Sequence, residues 1–398
     1  MSDAVHIRNR TTERLRSSFT NWTLAAVVIF SAITPLLLMV APAVASQLGL
    51  QMHLTPAQIG IYFFAELGAM SFATVPSFWW MGRYDVRLVA AFGIGIFILG
   101  NIASATLILP FQQLVFLRIL TAFGGGTVMV ICVTSAAKSE NRDRVYALWV
   151  IGQLIAGAIG LAVLPKLFAL YGIKSLYVSV AIGAVVASPL AMGFQKQFGG
   201  IKRNLATSDS VIPNSSRKGQ LRVSAAAVLA VLSFYIAVGG SWTFASQAGA
   251  SGGLTPSRIG EILAQATLFG IVGAALASFA GGRYRRLLML AVGFFALFTS
   301  LVGFSLNDAF IFMVASYVFK LSWTFALPFM LASAARHDVN GRLMSCVNLT
   351  IGAGLAVGPL IAGFILNIGA PLSMIFYAAA SLTCVSLGIM YYVERAKA

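Results

Sequence analysis

Three ionisable side chains, Glu66, Arg118 and Lys320, stand deep inside apolar stretches of this sequence. Charges in such surroundings are costly, and by default they mark functional sites. Arginine offers a planar fork of donors that matches a carboxylate, and lysine offers a compact cation. Arg118 and Lys320 could therefore receive an organic anion, while Glu66 could carry a proton whose arrival frees Arg118. A plainer alternative is an ion pair in which Glu66 and Arg118 only neutralise each other. Aromatic residues lie close by: Tyr62 precedes Glu66 by one helical turn, Tyr317 and Trp323 flank Lys320 by three residues, and Trp242 sits in a separate apolar stretch. Small-molecule pockets combine apolar walls with a few placed polar groups, so these four are candidate substrate-binding walls. Each can equally be a lipid-facing or interface aromatic. Gln153, Gln265 and Asn348 are weaker candidates, as able to bond a neighbouring helix as a ligand.

The elements that must position these groups follow from composition. Hydrophobic residues make up 59% of the 398 and charged residues 10%, against about 25% charged in soluble domains; mean hydropathy is +0.88. An ordinary soluble domain and a disordered chain are both excluded. The net charge of +16 is spread between apolar runs and not gathered on one folded face, so nucleic acid is not the expected partner. Cys132, Cys346 and Cys384 fall within apolar runs and His6, His53 and His337 show no ligand spacing, so neither a disulfide framework nor a metal site is expected. Twelve apolar segments can each cross a hydrocarbon core of about 30 Å as a helix: 22–46, 56–79, 88–109, 111–136, 145–168, 173–194, 223–247, 257–280, 287–306, 309–335, 343–368 and 371–393. We number them spans 1 to 12. Glu66 lies ten residues past Pro56, about 15 Å along its helix, and Arg118 and Lys320 lie at similar depth.

Loop charges fix the orientation. Of 27 cations, 22 fall in the tails and alternate loops on one side; Lys166, Lys174 and Arg258 lie on the other, and Arg118 and Lys320 remain in spans. The positive-inside rule places both termini in the cytoplasm, as an even span count requires. The polar, basic first 21 residues and the long first apolar run do not resemble a cleavable signal. Pro35, Pro42 and Gly239-Gly240 are expected kinks in spans 1 and 7. Gly124-Gly125-Gly126 in span 4 reads as close helix packing and not a phosphate cradle.

An internal repeat organises the chain. Leu54-Thr55-Pro56-Ala57-Gln58-Ile59-Gly60 returns 200 residues later as Leu254-Thr255-Pro256-Ser257-Arg258-Ile259-Gly260, and Gly82-Arg83-Tyr84 returns as Gly282-Arg283-Tyr284. Ser135-Ala136-Ala137-Lys138 returns at an offset of 198 as Ser333-Ala334-Ala335-Arg336. The expected organisation is a cytoplasmic tail (1–21), a six-helix bundle (22–194), a cytoplasmic linker (195–222), a second bundle (223–393) and a short cytoplasmic tail (394–398). Two parallel six-span halves are the layout of a carrier whose site lies between them at mid-membrane.

With these features the chain resembles the major facilitator superfamily over nearly its whole length. Gly82-Arg83-Tyr84-Asp85-Val86-Arg87 is a partial match to the family signature between spans 2 and 3. Arg118 followed by Ala122, Gly124 and Gly126 resembles its span 4 pattern, echoed in span 10 by Lys320, Thr324 and Ala326. Span 5 lacks the Gly-Pro pair of many drug exporters, and such a pair, Gly358-Pro359, lies instead in span 11. The resemblance implies an all-α fold of twelve transmembrane helices in two pseudo-symmetric bundles. Spans 1, 4, 7 and 10 would line a central cavity where Arg118 and Lys320 face each other, with Glu66 beside Arg118 as the proton-coupling group. Gly82, Arg83, Asp85, Arg87, Gly282 and Arg283 would hold a cytoplasmic gate.

The expected function is secondary active transport of a small amphiphilic organic anion, proton-coupled, by alternating access. The proton gradient is its energy source, with no cofactor. Its partners are a small-molecule substrate and the lipid bilayer, and it is expected as a multi-pass monomer in a plasma membrane of the bacterial inner-membrane kind. An exporter of lipophilic drugs is the alternative; deep cations outnumber deep acids two to one, which favours the anion. An enzyme is not expected, since neither a nucleophile-base arrangement, a metal spacing nor a P-loop is present.

Overall fold

The computed structural model describes residues 19–197, 214–338 and 342–396. Among them eleven helices are long and apolar enough to cross a membrane, and the remaining crossing, span 1, is made in pieces. The tail residues 1–18 and the linker residues 198–213 lie outside the described residues.

Span 1 runs as Asn21–Ile33, Leu36–Met39 and Ala41–Met52, broken where the sequence suggests only kinks. Pro35 and Pro42 each remove a backbone donor and crowd the preceding turn, and together they isolate one turn of helix. Span 7 is the opposite case. Asn214–Ser251 is one helix that starts within the expected linker and passes through Gly239-Gly240 without a break. Those glycines serve packing: a Cβ on Gly239 would lie 3.1 Å from Leu355 Cα, and one on Gly240 would lie 2.8 Å from the Gly358 carbonyl. Spans 7 and 11 meet there nearly backbone to backbone.

The remaining spans are Pro56–Phe72 continued by Thr74–Trp80, Val86–Thr106, Phe111–Ala136, Arg142–Tyr171, Lys174–Ala187 with a 3₁₀ turn Ser188–Gly193, Pro256–Ala280, Arg286–Phe304, Ala309–Ala335, Arg342–Asn367 and Leu372–Arg395. Their packing repeats. Spans 3 and 4, 2 and 4, 3 and 6, and 1 and 5 pack together in the first half; spans 9 and 10, 8 and 10, 9 and 12, and 7 and 11 do so in the second. The halves meet through spans 2 and 11, 5 and 8, and 1 and 7.

The longest repeated motif is explained by this arrangement. Thr55 and Thr255 cap the N-termini of spans 2 and 8, each accepting from the amide three residues on (Gln58 or Arg258), and Pro56 and Pro256 follow in the first helical turn, where a missing N–H goes unnoticed. Ile59 and Ile259 are buried. Gly60 and Gly260 then press against the opposite half: a Cβ on Gly60 would lie 2.6 Å from the Pro359 carbonyl, and one on Gly260 would collide with the Leu161 carbonyl and with Pro165 Cγ at 2.6 Å. One sequence motif thus builds both helix starts and a tight contact with the opposite half at each.

Gly60→Ala and Gly260→Ala should each destabilise this arrangement by about 1–3 kcal/mol, the usual penalty of overpacking against groups that cannot yield. Gly95→Ala, where a Cβ meets nothing within 4 Å, should not. Thermal unfolding of the three variants in detergent checks this; equal midpoints would show that the halves are not in backbone contact at these glycines.

Candidate functional site

The deep charges form two separate clusters. In the first half, span 4 carries Arg118 and span 2 carries Glu66, held in a bidentate pair: Arg118 Nε donates to Glu66 Oε2 at 2.8 Å and Nη2 to Oε1 at 2.6 Å. Nη1 donates to Asn101 Oδ1 at 3.1 Å and to Ser104 Oγ at 3.2 Å, both on span 3. The guanidinium also lies 5.0 Å from the ring centroid of Tyr177 in span 6, whose hydroxyl meets that of Tyr62 at 2.9 Å. Arg118 and Glu66 are 1% and 5% exposed. Charge-assisted, two-point geometry of this kind is the strongest a side-chain pair adopts. A cavity of about 10 Å³, with Thr34 and Leu37 of span 1 on its wall, touches the pair; it has room for about one water.

In the second half, Lys320 of span 10 is 2% exposed and has no acidic partner among the described residues. Its ammonium sits between two indoles, 3.6 Å from the Trp242 ring centroid and 4.4 Å from that of Trp323. Trp242 stacks on Phe319 at 6.1 Å, and Trp323 meets the ring of Tyr235 edge-on. Cation–π contacts of this type are worth about 2 kcal/mol when dry, well short of the cost of burying an ammonium without a counter-ion. Trp242 Nε1 reaches the other half and donates to the Leu38 carbonyl in span 1 at 3.1 Å.

Arg118 and Lys320 each have their own set of partners: Arg118 donates to Glu66, Asn101 and Ser104, and Lys320 lies between the rings of Trp242 and Trp323. Tyr62 belongs with Arg118. Tyr317 is engaged by span 8, stacking on Phe269 at 4.8 Å and donating to Gln265 Oε1. The Arg118 series of small residues serves packing, as a Cβ on Gly124 would lie 2.7 Å from the Gly93 carbonyl. Gln153 bonds the Ser31 carbonyl of span 1 at 3.0 Å. Asn101, Ser104, Tyr177 and Tyr235 were not picked out from sequence. Asn101 and Ser104 carried a signal, a polar pair three residues apart on one face of an apolar helix.

The signature residues act within their own halves. Gly82 and Gly282 hold φ of +87° and +76° in matching turns, a region that favours glycine. Asp85 caps span 3, accepting from the Arg87 amide at 2.8 Å, and Arg87 Nε donates to the Phe194 carbonyl of span 6 at 2.7 Å. The Arg83 and Arg283 guanidiniums lie over Trp79 and Phe279 of their own halves. A further clamp, not foreseen, is Glu394 at the end of span 12. It accepts from Arg336 at 2.6 Å, Ser333 at 2.8 Å and Arg286 at 3.5 Å.

Residues 22–197 match the family model described as Major Facilitator Superfamily. No curated protein matches the chain. Solved structures match over most of the length: the nucleoside transporter NupG at 11% identity and a TM-score of 0.71, covering 95% of this chain and 100% of that one; a POT family transporter in complex with a thioalcohol-conjugated peptide at 11% and 0.69, covering 93% and 94%; and a structure described under substrate recognition in proton dependent oligopeptide transporters at 12% and 0.70, covering 94% and 98%.

Removing one member of a buried ion pair strands the other and costs about 3–5 kcal/mol, whereas replacing both by apolar groups is often neutral. Arg118→Met and Glu66→Leu should therefore each lower the unfolding midpoint strongly, and the double variant should recover most of the loss. Additive effects in detergent melts would mean that the pair is not formed in solution.

Proposed function

We propose that this chain, a member of the Major Facilitator Superfamily, moves a small amphiphilic organic anion of carboxylate type in exchange of free energy with protons. Carriage of a small molecule across the membrane rests on family and fold; the substrate class rests on one observation. Lys320 is a buried cation with two indole faces and without an acid among the described residues. At the repeat's offset of 200, Ala266 stands where Glu66 stands in the first half, so the second half has the cation and not its counter-ion. A carboxylate from outside would complete the pair, and the Trp242 and Trp323 rings would flank the apolar part of the same molecule.

Arg118 enters this reading indirectly. Its donors are committed to Glu66, Asn101 and Ser104, so it can turn to an anion only when Glu66 gives up its charge. A proton on Glu66 does that, which makes the pair the meeting point of proton and substrate in this reading. The neighbours whose descriptions name peptide and nucleoside transporters support small-molecule transport by this fold.

Two measurements test the reading. A carboxylate panel that includes benzoate should raise the melting temperature of the detergent-solubilised protein, the stabilisation reaching about 2.7 kcal/mol at 100 times the dissociation constant. Lys320→Gln should weaken that binding by about 1.5–3 kcal/mol, the value of a charged hydrogen bond; undiminished binding puts the site elsewhere. In proteoliposomes, Glu66→Gln should keep binding and downhill exchange but lose accumulation driven by an imposed pH gradient. Full accumulation by that variant would make Glu66 a structural partner of Arg118 only.

A further inference from the structure

Each proline of span 1 leaves a carbonyl without its helical donor. Pro35 cannot donate to Ser31, four residues before it, and Pro42 cannot donate to Leu38. Inside a membrane such carbonyls are satisfied by neighbouring helices, and both are. Gln153 Nε2 of span 5 donates to Ser31 at 3.0 Å, and Trp242 Nε1 of span 7 donates to Leu38 at 3.1 Å. The Val40 amide, shared with Leu36, is the other donor near Leu38. The two bonds differ in where they come from. Gln153 belongs to the same half as span 1, and Trp242 belongs to the opposite half.

The one-turn segment Leu36–Met39 therefore follows a helix whose Ser31 carbonyl is held within its own half, and itself carries a carbonyl, that of Leu38, held by the opposite half. Its Leu37 forms part of the wall of the small cavity beside Glu66 and Arg118. The indole that holds its far end carries the Lys320 ammonium on its face at 3.6 Å. We infer that Trp242 is a positioning residue that latches the second half to span 1 through the donor Pro42 lacks, so that an anion drawing Lys320 off the indole also loosens the wall beside Glu66. The latch itself follows from the bond and the proline. Its link to substrate rests on the anion reading above.

The test separates the two. Without ligand, Trp242→Phe keeps a ring beneath Lys320 but has no N–H, and Pro42→Ala restores a backbone donor to Leu38. Amide hydrogen exchange at residues 39–44 should rise about fivefold in Trp242→Phe, the factor set by an ordinary hydrogen bond. In the Pro42→Ala background the same substitution should change exchange by less than about twofold. Equal increases in both backgrounds would overturn the latch, whatever the protein transports. With benzoate as the probe, exchange over residues 36–44 should rise on binding in the parent and stay flat in Pro42→Ala, where a backbone amide holds the Leu38 carbonyl in place of the indole. Binding that leaves this segment unchanged in the parent overturns the link, and failure of benzoate and the rest of the carboxylate panel to bind overturns the anion reading and the link together while leaving the latch to the ligand-free comparison.

Discussion

The hydrocarbon core of a bilayer offers no water to a polar group exposed to lipid, so most donors, acceptors and charges in the spans find their partners within the protein. Much of this structure is a consequence. Arg118 is wrapped by Glu66, Asn101, Ser104 and the face of Tyr177, and serine and threonine hydroxyls along the spans turn back to carbonyls three or four residues earlier, as Thr121, Thr127 and Ser316 do. At Pro35 and Pro42 another helix supplies the donor that the proline lacks. Lys320 is a buried charge without an acidic partner among the described residues, and that incompleteness is the reason to read it as a place for a ligand.

The same constraint explains how two halves with little sequence in common keep one architecture. With lipid as apolar as leucine, burial of apolar area does little to draw helices together, and close backbone approach does more. Small residues accordingly recur where spans cross: Gly60 against Pro359, Gly240 against Gly358, Gly124 against Gly93. The glycines of the repeated motif make close contacts between the halves, Gly60 against Pro359 and Gly260 against Leu161, while the deep charges differ from half to half. Glu66 balances Arg118 in one half and Ala266 occupies its place in the other. At the cytoplasmic end the reverse holds, with Glu394 gathering Arg286 and Arg336 in the second half. Symmetry carries the scaffold, and departures from it mark the groups with chemistry.

The amino-acid sequence determined the number of spans and the division into two halves, because hydropathy and repetition are properties of the chain in one dimension. It also singled out Glu66, Arg118 and Lys320, since a charge within an apolar run is visible without coordinates. Tertiary structure alone decided their pairing. Whether Arg118 faces Lys320 or Glu66 depends on helix rotation and tilt, and a rotation of one residue step turns a side chain by about 100° at 3.6 residues per turn. Pro42 and Trp242 are likewise legible as types, but the bond between Trp242 and the Leu38 carbonyl joins residues about 200 positions apart, and only packing of span 7 against span 1 brings them within reach.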